Sequence, residues 1–394
     1  MNIIPQTKDS ASYNKNTSGS ILLAGESSRK EEVLRIIPLR DKENHNKGKI
    51  HLHDLEYYDL TYNCIGLNVS HILGKHPYSF SQALRQIVRE VIALTNSQSG
   101  GIGFLNFDSD MAKYIREESE EEITESFREC FSDLNCPLRR GSEKAYVTFN
   151  FGLDTSPSGR KCSRGLLNAY KLGDCLGRPF QFPNLVFKVK KNINLEEGAP
   201  NHDLYLHALK TTGQCMIPTY FNCDSSTNRS APAENIGIMG CRTRVVDNIY
   251  GEKGGIRRGN VAAVTINLVQ LAFRANGNTT VFERLLGESM NEAKNVLLHR
   301  LMILQKKGDF PYLYSKNLYV DANTGDPEKM LRNGTLAVGF IGLWDALSVL
   351  KNQTWTDIES MRPFFHEALE IVKFMRNRVD RYLSTLRQNF SLLA

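Results

Sequence analysis

Two neighbouring stretches constrain this chain more than any other. Gly259-Asn260-Val261-Ala262-Ala263-Val264-Thr265-Ile266-Asn267-Leu268 is β-branched and apolar, broken by polar Asn260, Thr265 and Asn267. That is the pattern of a strand inside a packed core. Just before it stands Ile236-Gly237-Ile238-Met239-Gly240-Cys241-Arg242-Thr243-Arg244, apolar, punctuated by glycine and carrying one cysteine. Gly237 and Gly240 let a backbone bend where a larger side chain would clash. Together the two pieces put Cys241 at the tip of a loop inside a core. A lone buried cysteine is most often a structural thiol, so what Cys241 does depends on its neighbours.

The chain has 394 residues, beyond the usual single core of about 250–300 residues. A large α/β barrel still fills that length as one domain. Residues 1–17 read as a polar tail and 18–394 as one domain. No apolar run reaches the roughly 20 residues needed to cross a bilayer, and the N-terminus lacks a secretory pattern. The net charge of +6 is scattered. Blocks such as Lys188-Val189-Lys190-Lys191 and Arg257-Arg258 read as solvated surface, not as a nucleic-acid stripe. A mildly basic protein also suits small phosphate-bearing substrates. The eight cysteines include no C-x-x-C pair, so no zinc ribbon or redox pair is expected. A reduced, cytoplasmic setting follows.

Along the chain, Lys30 to Lys47 reads as a helix and then a polar connector. Gly48 to Asp54 begins with strand alternation. His51 and His53 share a face there, and structural hydrogen bonding is favoured over a metal site because no third ligand is close. Ser79 to Leu94 has the apolar spacing of one helix face. The Ser/Gly-rich Thr95–Gly103 follows, and its backbone N–H groups could cradle phosphate; it is not a Walker loop, since no Lys-Ser/Thr follows the glycines. Glu117–Glu129 reads as an acidic amphipathic helix. Ala145–Asp154 and Pro183–Val189 read as strands, and Asp203–Lys210 as a helix. Thr219–Cys223 leads into a polar connector. After Asn267 the pattern turns helical, above all in Phe282–Lys306 and Met361–Leu386. No internal repeat or long linker is visible.

In order and spacing, these pieces resemble the anaerobic (class III) ribonucleoside-triphosphate reductases, which are glycyl-radical enzymes. The resemblance runs from about Tyr13 to the final residue. It implies an α/β fold: the ten-stranded α/β barrel of the ribonucleotide reductase and glycyl-radical enzyme type, incomplete at the C-terminus. Ala145–Asp154, Pro183–Val189 and Leu336–Trp344 resemble barrel strands. The position matching Cys241 is the thiyl radical that attacks the ribose, and the one matching Cys64 lies across the substrate from it. Asn260 matches an asparagine that hydrogen-bonds in the active site. Met239 matches a methionine near the cysteine pair in members that use formate. The aerobic reductases place a glutamate where this chain has Thr243, which also favours formate as reductant. Ser97, Ser99, Gly100 and Gly101 match a substrate-side loop. Asn150 completes the set.

The resemblance further implies ribonucleoside triphosphates as substrates, nucleotide effectors and a homodimer. It implies a glycyl radical made by an iron–sulfur S-adenosylmethionine activase. The family's N-terminal ATP-binding domain, zinc site and glycyl-radical loop have no counterpart in these residues. The chain is therefore expected to be inactive without a complementing C-terminal polypeptide, whether by truncation, a split gene or an intein. No metal, nucleic acid or membrane partner is expected. Two alternatives stay open: a non-catalytic nucleotide-binding or dimerising remnant, and a relative of pyruvate formate-lyase. Against the latter, Gly240 precedes Cys241, where that family commonly has adjacent cysteines.

Overall fold

A computed structural model describes residues 17–74, 78–136, 144–240 and 243–393. Numbered along the chain, the strands are β1 (Ile50–Leu52), β2 (Ile65–Leu67), β3 (Ile102–Phe104), β4 (Val147–Phe151), β5 (Asn184–Val189), β6 (Thr219–Asn222), β7 (Ile238–Met239), β8 (Thr243–Arg244), β9 (Asn260–Asn267), β10 (Thr335–Ile341) and β11 (Asn389–Leu393). They belong to two compact units. One comprises Met1–Ser27, Cys64–Gly259 and Phe310–Asp326, and the other Ser28–Asn63, Asn260–Asp309 and Pro327–Ala394.

The first unit is a five-stranded sheet in the order β2-β3-β4-β5-β6, parallel throughout. Parallel neighbours cannot be joined by a tight turn, so helices carry the chain back each time. These are Phe80–Thr95, Glu120–Leu134, Pro157–Leu172 and His202–Cys215. Their starts are written locally. Ser79 with Gln82 and Ser119 with Glu122 form capping boxes, and Ser156 caps a helix that opens on Pro157. Period-two alternation then sorts β4 by face. Val147, Phe149 and Phe151 alternate with Thr148 and Asn150, and all five are buried. Phe149 stacks on Phe107 at 3.8 Å between ring centres and meets Phe104 and Phe131, within an aromatic layer that Phe127 extends. Each such ring contributes about 1.5–3 kcal/mol by leaving water. Thr148 and Asn150 are left for another task.

In the second unit the order is β1-β9-β10-β11, with β1 antiparallel to β9 and the other pairs parallel. β9 is buried along all but its last residue, as its composition demands. The long helix Thr279–Lys307 packs on it through residues such as Leu286, Met290, Ala293 and Leu297. Glu292 of that helix is buried and pairs with Lys49 at 2.6 Å and with Arg40. Arg300, also buried, donates to the carbonyls of His53, Tyr57 and Thr61, and so fixes the chain that follows β1.

Three local expectations change. The polar stretch before Lys47 is a helix, Leu39–Asn46, because Pro38 ends one helix and sits at the N-cap of the next. Lys188 and Arg258 are not solvated, being 1% and 2% exposed. Their strand and loop carry them inward, where backbone carbonyls meet the cation. The helix Pro157–Leu172 and the strands β6 and β11 were not evident in the sequence. Nor were the strands β2, β3, β7 and β8 or shorter helices such as Phe107–Ala112 and Leu343–Lys351. Strands β1, β4, β5, β9 and β10 and the long helices Phe80–Thr95, Glu120–Leu134, Thr279–Lys307 and Phe365–Leu386 fall within a few residues of where they are expected.

Candidate functional site

Thr148 and Asn150 hold a hairpin. β7 and β8 pair antiparallel, with Ile238 opposite Arg244 and Met239 opposite Thr243. Asn150 treats β7 as a strand would: its Oδ1 accepts from Ile238 N at 2.8 Å, and its Nδ2 donates to Ile238 O and Phe104 O, each at 2.9 Å. Two residues along β4, the Thr148 hydroxyl donates to Gly240 O at 2.6 Å. The hairpin thus lies on the side of the sheet away from the phenylalanines. Glycines make the close approach possible. A β-carbon on Gly101 would stand 2.4 Å from Gly240 Cα, and one on Gly103 would stand 2.7 Å from Ile238 O.

The segment entering the hairpin is anchored by Lys188 of β5. Its Nζ donates to Leu105 O and Asn106 Oδ1 at 3.0 Å each and to Ala233 O at 2.5 Å. Burial pushes this ammonium down to about 8. Asn106 Nδ2 also donates to Glu234 O.

Cys64, immediately before β2, is buried beside this hairpin. Its Sγ accepts the Gly101 N–H at 3.3 Å and lies 3.9 Å from Thr243 Oγ1, toward which it donates. Met239 and Val245 pack with it. The Met239 methyl is enclosed so tightly that a β-carbon on Gly66 or on Gly255 would stand 2.6 Å from it. Cys241 and Arg242 lie outside the described residues. On either side of that pair, however, Thr243 touches Cys64, and Gly240 touches the Gly101 whose N–H binds Cys64.

The other expected site residues fall as follows. Asn260 opens β9 in the second unit; it is 2% exposed, and its Nδ2 lies 3.4 Å from Asn63 Oδ1. Its own Oδ1 is buried and accepts no hydrogen bond among the described residues. In the Ser/Gly loop, the Ser97 N–H and hydroxyl are spent on Leu94 O and Ala93 O. Ser99 and Gly100 are half-buried, and Gly101 turns its N–H to Cys64. The loop leaves the carboxyl end of its helix, where the dipole does not favour phosphate. Its visible task is to carry Gly101 to the cysteine. His53 is hydrogen-bonded to Thr265 Oγ1 at 2.7 Å. Among the described residues, no group of three His, Cys, Asp or Glu side chains is placed to hold a metal. Lys188 and Thr148 were missed; the only signal for the first was its place directly after the apolar Leu185-Val186-Phe187.

A family model described as anaerobic ribonucleoside-triphosphate reductase matches residues 9–394. The chain belongs to the anaerobic ribonucleoside-triphosphate reductase family. The reductase of that name from Salmonella typhimurium is 25% identical over 419 residues, covering 94% of this chain and 58% of its own length. That of Enterobacteria phage T4 is 23% identical over 352 residues, covering 76% and 57%. The chain therefore spans less than two thirds of these relatives. The crystal structure of the anaerobic ribonucleotide reductase from Thermotoga maritima with citrate in the active site superposes with a TM-score of 0.69 at 15% identity. It covers 96% of this chain and 75% of that one. The same enzyme in complex with dATP and CTP gives 0.68, at 15% identity, with 96% and 68% covered. These likenesses show the α/β fold of the anaerobic reductases.

Proposed function

We propose that this chain carries the thiol core of an anaerobic ribonucleotide reductase, which replaces the 2′ hydroxyl of a ribonucleoside triphosphate by hydrogen for DNA synthesis. The observation that carries this reading is the seating of Cys64 against Gly101, Met239 and Thr243, the hairpin residues that bracket position 241 among them. A C2′ hydroxyl is not readily displaced by acid–base catalysis alone. In this reading a sulfur radical at Cys241 removes the 3′ hydrogen of the ribose. The 2′ hydroxyl then leaves as water, with the Cys64 thiol as proton donor. Formate gives its hydrogen to C2′ and its remaining electron to the sugar radical, leaving as carbon dioxide; a proton from water restores the Cys64 thiol, and Cys241 returns the hydrogen to C3′.

The Met239 thioether packs against Cys64, a soft neighbour for sulfur chemistry. Asn260 keeps a buried carbonyl oxygen without a donor among the described residues. Ser97, Ser99 and Gly100 border the sugar through Gly101. Hydrogen bonds from Asn150 and Thr148 hold the hairpin so that a reacting sulfur stays within reach. A glycyl radical supplies the oxidising equivalent when present. We assign its generation to an iron–sulfur S-adenosylmethionine activase. A groove of about 340 Å³ lined by Tyr78, Gln82, Arg85, Gln86 and Arg89 supports nucleotide effectors, since two guanidiniums suit phosphate and a tyrosine suits a base.

The test is anaerobic reduction of a ribonucleoside triphosphate by the protein that carries this chain, with activase and formate. Cys241→Ala and Cys64→Ala should each bring product to background while the glycyl radical signal persists. Full turnover by Cys241→Ala would refute the assignment.

A further inference from the structure

Between the hairpin and β9 runs a loop, Gly251-Glu252-Lys253-Gly254-Gly255-Ile256-Arg257-Arg258-Gly259, with three cations and one carboxylate. It borders a cavity of about 320 Å³, together with Asn235, Asn248 and Val320. That is near the lower end of small-molecule sites, roughly 300–1,000 Å³.

Three observations at Arg257 converge. Its backbone is left-handed, at φ +55°, a conformation that disfavours any side chain and persists only where surroundings impose it. Here they do: its N–H donates to Gly66 O at 2.7 Å, and its carbonyl accepts from Val320 N at 2.8 Å. The guanidinium is clamped on one side only, with Nη2 donating to Asn317 Oδ1 at 2.6 Å and to Tyr319 O at 2.9 Å. Its Nε is buried and has no acceptor among the described residues. The Asp321 carboxylate acts on this cation from nearby, yet the Nε donor stays unmatched among the described residues, so the half-buried guanidinium keeps a hydrogen bond to offer an anion.

The rest of the wall fits. Arg258 is buried, and its guanidinium is spent on the carbonyls of Val246, Asp247 and Gly254, so it adds positive field without a carboxylate among those acceptors. Gly254 lets the loop press on Asn235, since a β-carbon there would stand 2.6 Å from Asn235 O. Lys253 stands half-exposed at the rim, 3.1 Å from Asp247. Glu252 also lines the cavity and sets a limit on the net charge.

We propose that this cavity binds a polyphosphate group, inorganic or carried by a nucleotide. Several cations around one space match a chain of phosphates better than a single carboxylate, and arginine matches phosphate oxygens bidentately. The site does not rest on the hairpin performing radical chemistry.

Hydrogen exchange on the full chain, with tripolyphosphate or ATP added, tests it. Both ligands should slow exchange in residues 251–258. Arg257→Gly should keep or raise the melting temperature, because glycine accepts φ +55°. It should also weaken binding roughly tenfold by removing charge-assisted hydrogen bonds. Lys253→Ala, at an exposed position, should weaken it by about threefold. No protection in the unsubstituted protein overturns the proposal, as does equal protection in Arg257→Gly. Protection by ATP without protection by tripolyphosphate also overturns it. If Arg257→Gly does not fold, unchanged affinity in Lys253→Ala overturns it.

Discussion

Asn150 stands in for a missing strand neighbour. Its amide satisfies both backbone groups of Ile238 and one of Phe104, all inside the core. Asn150→Ala would strand them, at about 1–3 kcal/mol per orphaned group. A loss of about 3 kcal/mol or more in urea unfolding is expected, against less than about 1 kcal/mol for an ordinary surface substitution. Lys188 predicts a pH dependence. Its folded value, about 8, lies below the ordinary 10.5. Between those values the unfolded chain keeps a proton that the folded chain has released, so stability rises with pH across that window. The slope is at most about 1.4 kcal/mol per pH unit for one proton. Lys188→Met should lack that rise when unfolding is followed from pH 7 to 10. Neither residue announces its task in the sequence. Asn150 looks like any polar residue in a strand, and Lys188 sits beside Lys190 and Lys191, so its charge reads as surface.

At the scale of elements, the hairpin's height above the sheet is set by backbone touching backbone. Gly101→Ala would drive a carbon into Gly240 and should cost on the order of 3 kcal/mol. Gly213 offers the contrast. It is helical, and a β-carbon there meets nothing within 4 Å, so Gly213→Ala should stabilise by about 0.5–1 kcal/mol. Thermal melts of the two variants, side by side, check both. The elements that were legible were so because their burial leaves a period. β9 is apolar on both faces, and Phe80–Thr95 keeps one apolar stripe. Those that escaped have weak patterns for physical reasons. β6 exposes Thr219, Tyr220 and Asn222, and only Phe221 is buried. β11 buries only Asn389 and Phe390. Helix Pro157–Leu172 hides Cys162, Leu166 and Leu167 behind a face of lysine and arginine. In the sequence the candidate site shows itself through its cysteines, Met239 and Asn260, as the family resemblance reads them. Its supports were not, because nothing in a sequence says which strand face will meet a hairpin.

For the whole molecule, the two units share one chain that passes back and forth between them. No single cut frees either. A fragment ending at Gly259 lacks Phe310–Asp326, and with it Tyr312 and Lys316, both bound to Glu90. The Glu90 side chain is only 8% exposed, so that fragment would leave a nearly buried carboxylate with Gln86 in place of its cation and phenol partners. It should be less soluble than the full chain, and adding the peptide 310–326 should recover part of the loss in a light-scattering assay. The pairing of β1 with β9 has a further consequence, in time. Ile50 faces Ile266, so about 200 residues must be synthesised between the two partners. At roughly 5–20 residues per second, β1 leaves the ribosome some 10–40 seconds before the strand that covers it. During that interval its apolar edge is open to whatever else the cell offers, and a trigger-type chaperone that occupies it would be timing the assembly of the second sheet.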